Sequence, residues 1–224
     1  GIDGIDALLV SDLTNIRWLT GFSGSNGWVL LDRDQLTLVT DGRYGVQAAH
    51  QLAAAGVAGD VRVGTSGTAL LEHLTRLAGR HDRLGFEADH VSYNQHAKWA
   101  AAFGARLVPA AGLVEAARRT KDPTEVEAIA RAAAIADGAL AEVAMTLGDG
   151  LTEAQVRNRL ELRMRELGAS GPSYDTIVAT GPVNAALPHH RPTDTRIEDG
   201  HTLIIDVGAL VDGYHSDMTR SFVI

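Results

Sequence analysis

The segment "LIIDVGALVDGYHSDMTRSFVI", residues 203–224, constrains the fold more than any other stretch of the chain. Apolar, β-prone residues flank Asp212-Gly213, a dipeptide that readily supplies the left-handed residues of a two-residue hairpin turn. Folding at that point makes two antiparallel strands and brings Asp206 and Asp217 to nearly opposite positions on one face. Strand alternation adds His215 and Thr219 to the same face. Like charges opposed across a sheet repel, so a compensating group is expected, and a bound divalent cation is the simplest. Carboxylate oxygens suit Mn²⁺, and a site mixed with imidazole also admits Co²⁺ or Zn²⁺. Thr219 stands where a hydroxyl can hold a carboxylate ligand from behind. The spacing alone fits an exposed hairpin with aspartates at its rim equally well.

Upstream, the first half alternates strand and helix signals. "DALLVS" (6–11), "GWVLL" (27–31), "LTLVT" (36–40), "RLGFE" (83–87) and "ARLVP" (105–109) predict buried strands. Helical stretches are expected near 44–55, 67–79 and 92–103, the last opened by Ser92 and Gln95 in a capping-box pattern. This alternation indicates an α/β layer fold. Near Thr120 the texture changes. Asp122, Pro123 and Glu125 start a long helix, and Thr152 and Gln155 start a second one over 153–167, stopped by Gly168. Strands at 175–180 and 202–207 precede the hairpin, so residues 120–224 read as an α+β unit following an amino-terminal domain over 1–119.

Composition narrows the function classes. The net charge of −8 argues against a nucleic-acid footprint, which would want a clustered basic face, and the short cluster "RRTK" (118–121) reads as a solvated linker. There is no cysteine, which excludes disulfides and thiolate metal sites. No apolar run approaches the ~20 residues that span a membrane. The start "GIDGIDALLV" has neither a basic signal-peptide region nor an initiator methionine, so a trimmed, cytoplasmic protein is expected.

Two loops invite chemistry. "GFSGSNG" (21–27) matches no phosphate-loop pattern and enters a strand, so it reads as a tight connection; "TDGRYG" (40–45) reads as a turn into a helix. In "ALPHHRPTD" (186–194), Pro188 and Pro192 bracket His189 and His190, side chains suited to proton transfer or metal ligation. In an isolated loop, solvent-exposed histidines are the simpler explanation.

These residues together resemble a known family. "IDVGALVDGYHSDMTRSFVI" and "SYDTIVATGPVNAALPHHRPTD" are similar to segments of the pita-bread-fold metallopeptidases. "NIRWLTGFSGSNG", "TDGRYGVQA" and "RRTKDPTEVEAIARAA" resemble the amino-terminal domain and linker of one branch, the Xaa-Pro aminopeptidases and dipeptidases (prolidases). The resemblance implies a creatinase-like α/β domain followed by the first part of a pita-bread catalytic domain. It implies a dinuclear, usually homodimeric enzyme that cleaves short peptides before proline. Asp206 would ligate one metal, Asp217 would bridge both, and His189 would stabilise the transition state. His215 would be a neighbour of the metal site. The amino-terminal domain, "GFSGSNG" included, would reach toward the partner subunit's site and limit entry to short peptides. The family's remaining ligands, a histidine and two glutamates, lie downstream of anything matched here, which implies an incomplete form that is inactive by itself. "RIEDG" (196–200) precedes the first aspartate and is a decoy for a later glutamate motif. A non-catalytic peptide-binding module and a metal-free creatinase-like amidinohydrolase are the alternatives.

Overall fold

The computed structural model describes residues 4–104, 106–148 and 150–224. Contacts divide the chain into two compact units, Gly1–Thr120 and Lys121–Ile224. The first is built on a six-stranded sheet. Its strands are β1 (Ala7–Val10), β2 (Gly27–Asp32), β3 (Leu36–Asp41), β4 (Asp60–Gly64), β5 (Arg83–Phe86) and β6 (Arg106–Pro109), in the order β4-β3-β2-β1-β5-β6. Ala105, the first residue of the strand expected over 105–109, lies outside the described residues. Strands β1, β2 and β3 pair antiparallel, and the outer pairings are parallel.

Alternation along β1 explains why helices cover both faces. Leu9 joins Leu74, Leu77, Trp99 and Phe103 on one side, from helices α3 (Gly67–Ala78) and α4 (Tyr93–Ala102) and the residue that follows α4. Leu8 and Val10 join Ile16, Leu52 and Val114 on the other, from α1 (Leu13–Thr20), α2 (Gly45–Ala54) and α5 (Leu113–Arg118). Each buried side chain of this size contributes about 1.5–3 kcal/mol relative to exposure.

Helix α1 and strand β4 fall outside the sequence expectations. Helix α1 has only 8 residues, starts on an Asp12 cap that accepts from Thr14 N, and stops at Gly21 with φ 72°. Strand β4, "DVRVG", is half-exposed and lacks the apolar run of its neighbours. Two expectations need correction. Arg118 is no part of a solvated linker: it ends α5 and donates to Oδ1 of the fully buried Asn15 at 2.6 Å. The charge there has a structural partner instead of free water. At α4 only half of the capping box forms, with Ser92 accepting from Gln95 N at 3.2 Å.

The second unit opens with α6 (Pro123–Ala144) and α7 (Glu153–Glu166), both with complete capping boxes at the expected residues. They cover two three-stranded antiparallel sheets. One contains β7 (Gly171–Pro172), β10 (Ala209–Val211) and β11 (Tyr214–His215), in the order β11-β10-β7. The other contains β8 (Ile177–Thr180), β9 (Thr202–Val207) and β12 (Met218–Val223), in the order β12-β9-β8. A short helix, α8 (Gly181–Asn184), follows β8. The core runs through Ala136, Leu140, Leu160, Met164, Leu203 and Ile205.

Candidate metal and catalytic site

The terminal hairpin turns where the sequence indicates. Asp212 and Gly213 both have positive φ, 51° and 84°, as a mirror-image turn requires. That turn pairs Val211 with Tyr214, and the same register continues beyond it to Asp206 opposite Thr219. Asp217 therefore stands diagonal to Asp206, not nearly opposite it, because the two-residue turn fixes the register.

Between these pairings the hairpin crosses from one sheet to the other, at Gly208 on one arm and Ser216-Asp217 on the other. Ser216 is buried and its hydroxyl accepts from Ala209 N at 2.9 Å, in place of a regular ladder bond. A Cβ on Gly208 would lie 1.9 Å from the Ser216 carbonyl oxygen, so only glycine fits there.

The crossing aims the two carboxylates at one point. The Tyr174 hydroxyl lies 2.7 Å from Asp206 Oδ1 and 2.9 Å from Asp217 Oδ1. It can donate to one at a time. Burial, and then its place against the two carboxylates, holds the Tyr174 phenol well above its ordinary range, so it remains a neutral donor. Asp206 is half-buried and Asp217 exposed. Tyr174 was not singled out from sequence: 32 residues separate it from Asp206, and no spacing rule connects an aromatic in a polar loop to a distant strand.

Thr219 is the cross-strand partner of Asp206. His215 is exposed and sits in the other sheet, opposite Leu210. Among the described residues no side-chain hydrogen bond joins either of them to the aspartates, and no group of three His, Asp or Glu converges as a metal site. The oxygens that do converge are those of two carboxylates, held by the hydrogen bond of one phenol, and such oxygens fit part of the shell of a hard divalent cation.

The paired histidines separate. His189 is exposed, with φ 54°, the left-handed region. His190 is buried and its Nε2 lies 2.9 Å from Glu153 Oε2. An Arg191–Asp175 ion pair ties their loop to the residue after Tyr174. Two cavities, of about 420 and 460 Å³, lie away from this chemistry, and neither is lined by Asp206, Asp217 or His189.

Known proteins share both units of this chain. Residues 3–120 match the Creatinase/Prolidase N-terminal domain, and residues 127–224 match Metallopeptidase family M24. The chain belongs to the creatinase/prolidase family. Its fold is the amino-terminal domain of that family followed by a portion of the M24 catalytic domain. An uncharacterized peptidase of Bacillus subtilis, YqhT, is 35% identical over 231 residues, covering 99% of this chain and 62% of the relative. Among solved structures, an Xaa-Pro dipeptidase from Bacillus anthracis superposes with a TM-score of 0.92 at 32% identity, over 99% of this chain and 61% of that one. An X-Pro aminopeptidase from Thermotoga maritima gives 0.87 at 31%, over 99% and 63%. The chain thus spans about three-fifths of the length of such family members. Among the described residues no helix is long and apolar enough to cross a membrane.

Proposed function

We propose that this chain supplies the amino-terminal domain and the first metal ligands of a peptidase that hydrolyses the bond before proline in short peptides. The observation that carries this reading is the convergence of Asp206 and Asp217 on the Tyr174 hydroxyl, at 2.7 and 2.9 Å. Paired carboxylates so close have little structural use without a cation. Membership of the family and the likeness to Xaa-Pro peptidases support the choice of substrate.

In this reading Asp206 and Asp217 would contribute to holding two divalent ions, Mn²⁺ by the hardness of the donors, with Co²⁺ or Zn²⁺ as substitutes. Bound there, such ions supply Lewis acidity and bring the pKa of water toward neutrality. The chain's own groups do the positioning. Tyr174 donates to one carboxylate or the other and holds both toward one point. Thr219 is the cross-strand neighbour of Asp206 and makes no side-chain hydrogen bond to it among the described residues. His189, on an exposed turn, donates to the oxygen of the scissile carbonyl as negative charge develops there. The glycine-rich loop "GFSGSNG" forms part of the entry rim in a homodimer and limits substrate length.

Elemental analysis combined with hydrolysis of Xaa-Pro dipeptides, on the polypeptide carrying this chain, tests the reading. Asp217→Asn is expected to lose metal and activity together. His189→Ala is expected to keep its metal and lose roughly 10²-fold in kcat, the scale of one oxyanion donor. A metal-replete wild type that neither binds metal nor cleaves before proline would overturn the proposal.

A further inference from the structure

Glu153 is the first residue of α7 and is fully buried. Burying a carboxylate is costly unless it is fully hydrogen-bonded. Capping of the helix does not explain it, because Thr152 and Gln155 already complete the box at that end. The Glu153 side chain instead reaches a single loop. Its Oε1 accepts from Thr180 N at 2.8 Å and Asn184 Nδ2 at 3.0 Å. Its Oε2 accepts from His190 Nε2 at 2.9 Å, Thr193 N at 3.0 Å and Thr193 Oγ1 at 2.8 Å. The backbone of Glu153 and Ala154 donates to the same loop, at Thr195 O and Thr193 O.

Among the described residues, the five donors to the carboxylate lie between Thr180 and Thr193, and His189 lies among them. A left-handed non-glycine residue is strained and persists only where its surroundings over-determine it. Here the surroundings are identifiable. His190 is drawn inward to Glu153, Thr193 is fixed four residues beyond His189, and Asn184 is fixed before it. With its neighbour held inside, His189 is left on the outer side of the turn.

We propose that Glu153, acting through His190 and Thr193, is the positioning residue that holds His189 in its left-handed conformation and presents its imidazole outward. The proposal deepens the Xaa-Pro peptidase reading and rests on it for the role of His189. It assigns Glu153 and His190 no contact with substrate or metal.

The test compares Glu153→Gln, His190→Leu and His190→Gln, using amide hydrogen exchange across residues 180–193, metal content, kcat and KM. Glu153→Gln and His190→Leu are expected to speed exchange at Thr193. Both are expected to lower kcat by up to roughly 10²-fold, the scale of a misplaced catalytic group, with KM and metal content unchanged. His190→Gln retains a side-chain donor and is expected to recover most of the loss. The proposal is overturned if exchange and kcat stay at wild-type values, if metal is lost in step with activity, or if His190→Gln is as impaired as His190→Leu. If Glu153→Gln fails to fold, the two His190 variants still decide. Should the wild type show no Xaa-Pro hydrolysis, the functional reading fails by itself. Exchange and the His189 imidazole NMR signals then decide whether Glu153 orders the loop, with unchanged signals in Glu153→Gln overturning it.

Discussion

At the scale of single residues, the site depends on groups whose importance is steric or relational. Gly208 is the clearest. An alanine Cβ there would meet the Ser216 carbonyl at 1.9 Å and Ser173 Oγ at 2.9 Å, and the first of these is backbone that cannot turn aside. Gly208→Ala is therefore expected to destabilise the second unit by about 1–3 kcal/mol, the usual range for overpacking. A urea titration checks this, and an unchanged midpoint would mean that the crossing is looser than its geometry implies. The aspartates were legible in sequence because charged residues interrupt an apolar strand pattern. Tyr174 was not, since an aromatic beside a strand is usually packing.

At the scale of elements, local chemistry was read best where it is self-contained. The capping boxes of α6 and α7 form at the residues expected because a cap involves only four consecutive positions. Helix α1 is not legible in the sequence because its 8 residues hold too few turns for a clear period. The loop around Glu153 shows the opposite limit. Burial is the largest single influence on that carboxyl and pushes its pKa up. Hydrogen bonds from His190, Thr193, Thr180 and Asn184 together outweigh burial and leave it below the ordinary 4.5. A depressed carboxyl pKa stabilises the fold above the unfolded value, and the contribution is lost as pH falls through the folded one. The stability gap between wild type and Glu153→Gln is thus expected to be widest near neutral pH and to close as pH drops below 4.5. Thermal unfolding across that window measures it; a gap independent of pH would mean that the carboxylate's charge contributes nothing.

At the scale of the whole molecule, the two units have separate cores. Leu9 is fully buried in the first and Leu160 in the second. Leu9→Ala and Leu160→Ala are each expected to cost about 2–5 kcal/mol, each lowering one unfolding transition and leaving the other in place. Both variants shifting a single common transition would show that the units unfold as one. The sequence by itself determined most strand and helix periods, the caps of α6 and α7 and the hairpin turn, because each depends on residues close in the chain, and it pointed to the two aspartates as candidate ligands. It also carried the family likeness, which local motifs in the right order are enough to convey. Only the tertiary structure decided that Tyr174 bridges the aspartates, that Gly208 lets the hairpin change sheets, and that His190 turns inward while His189 turns out. Those outcomes depend on contacts between residues tens of positions apart. No local preference encodes them, and they exist only once the chain has closed on its core.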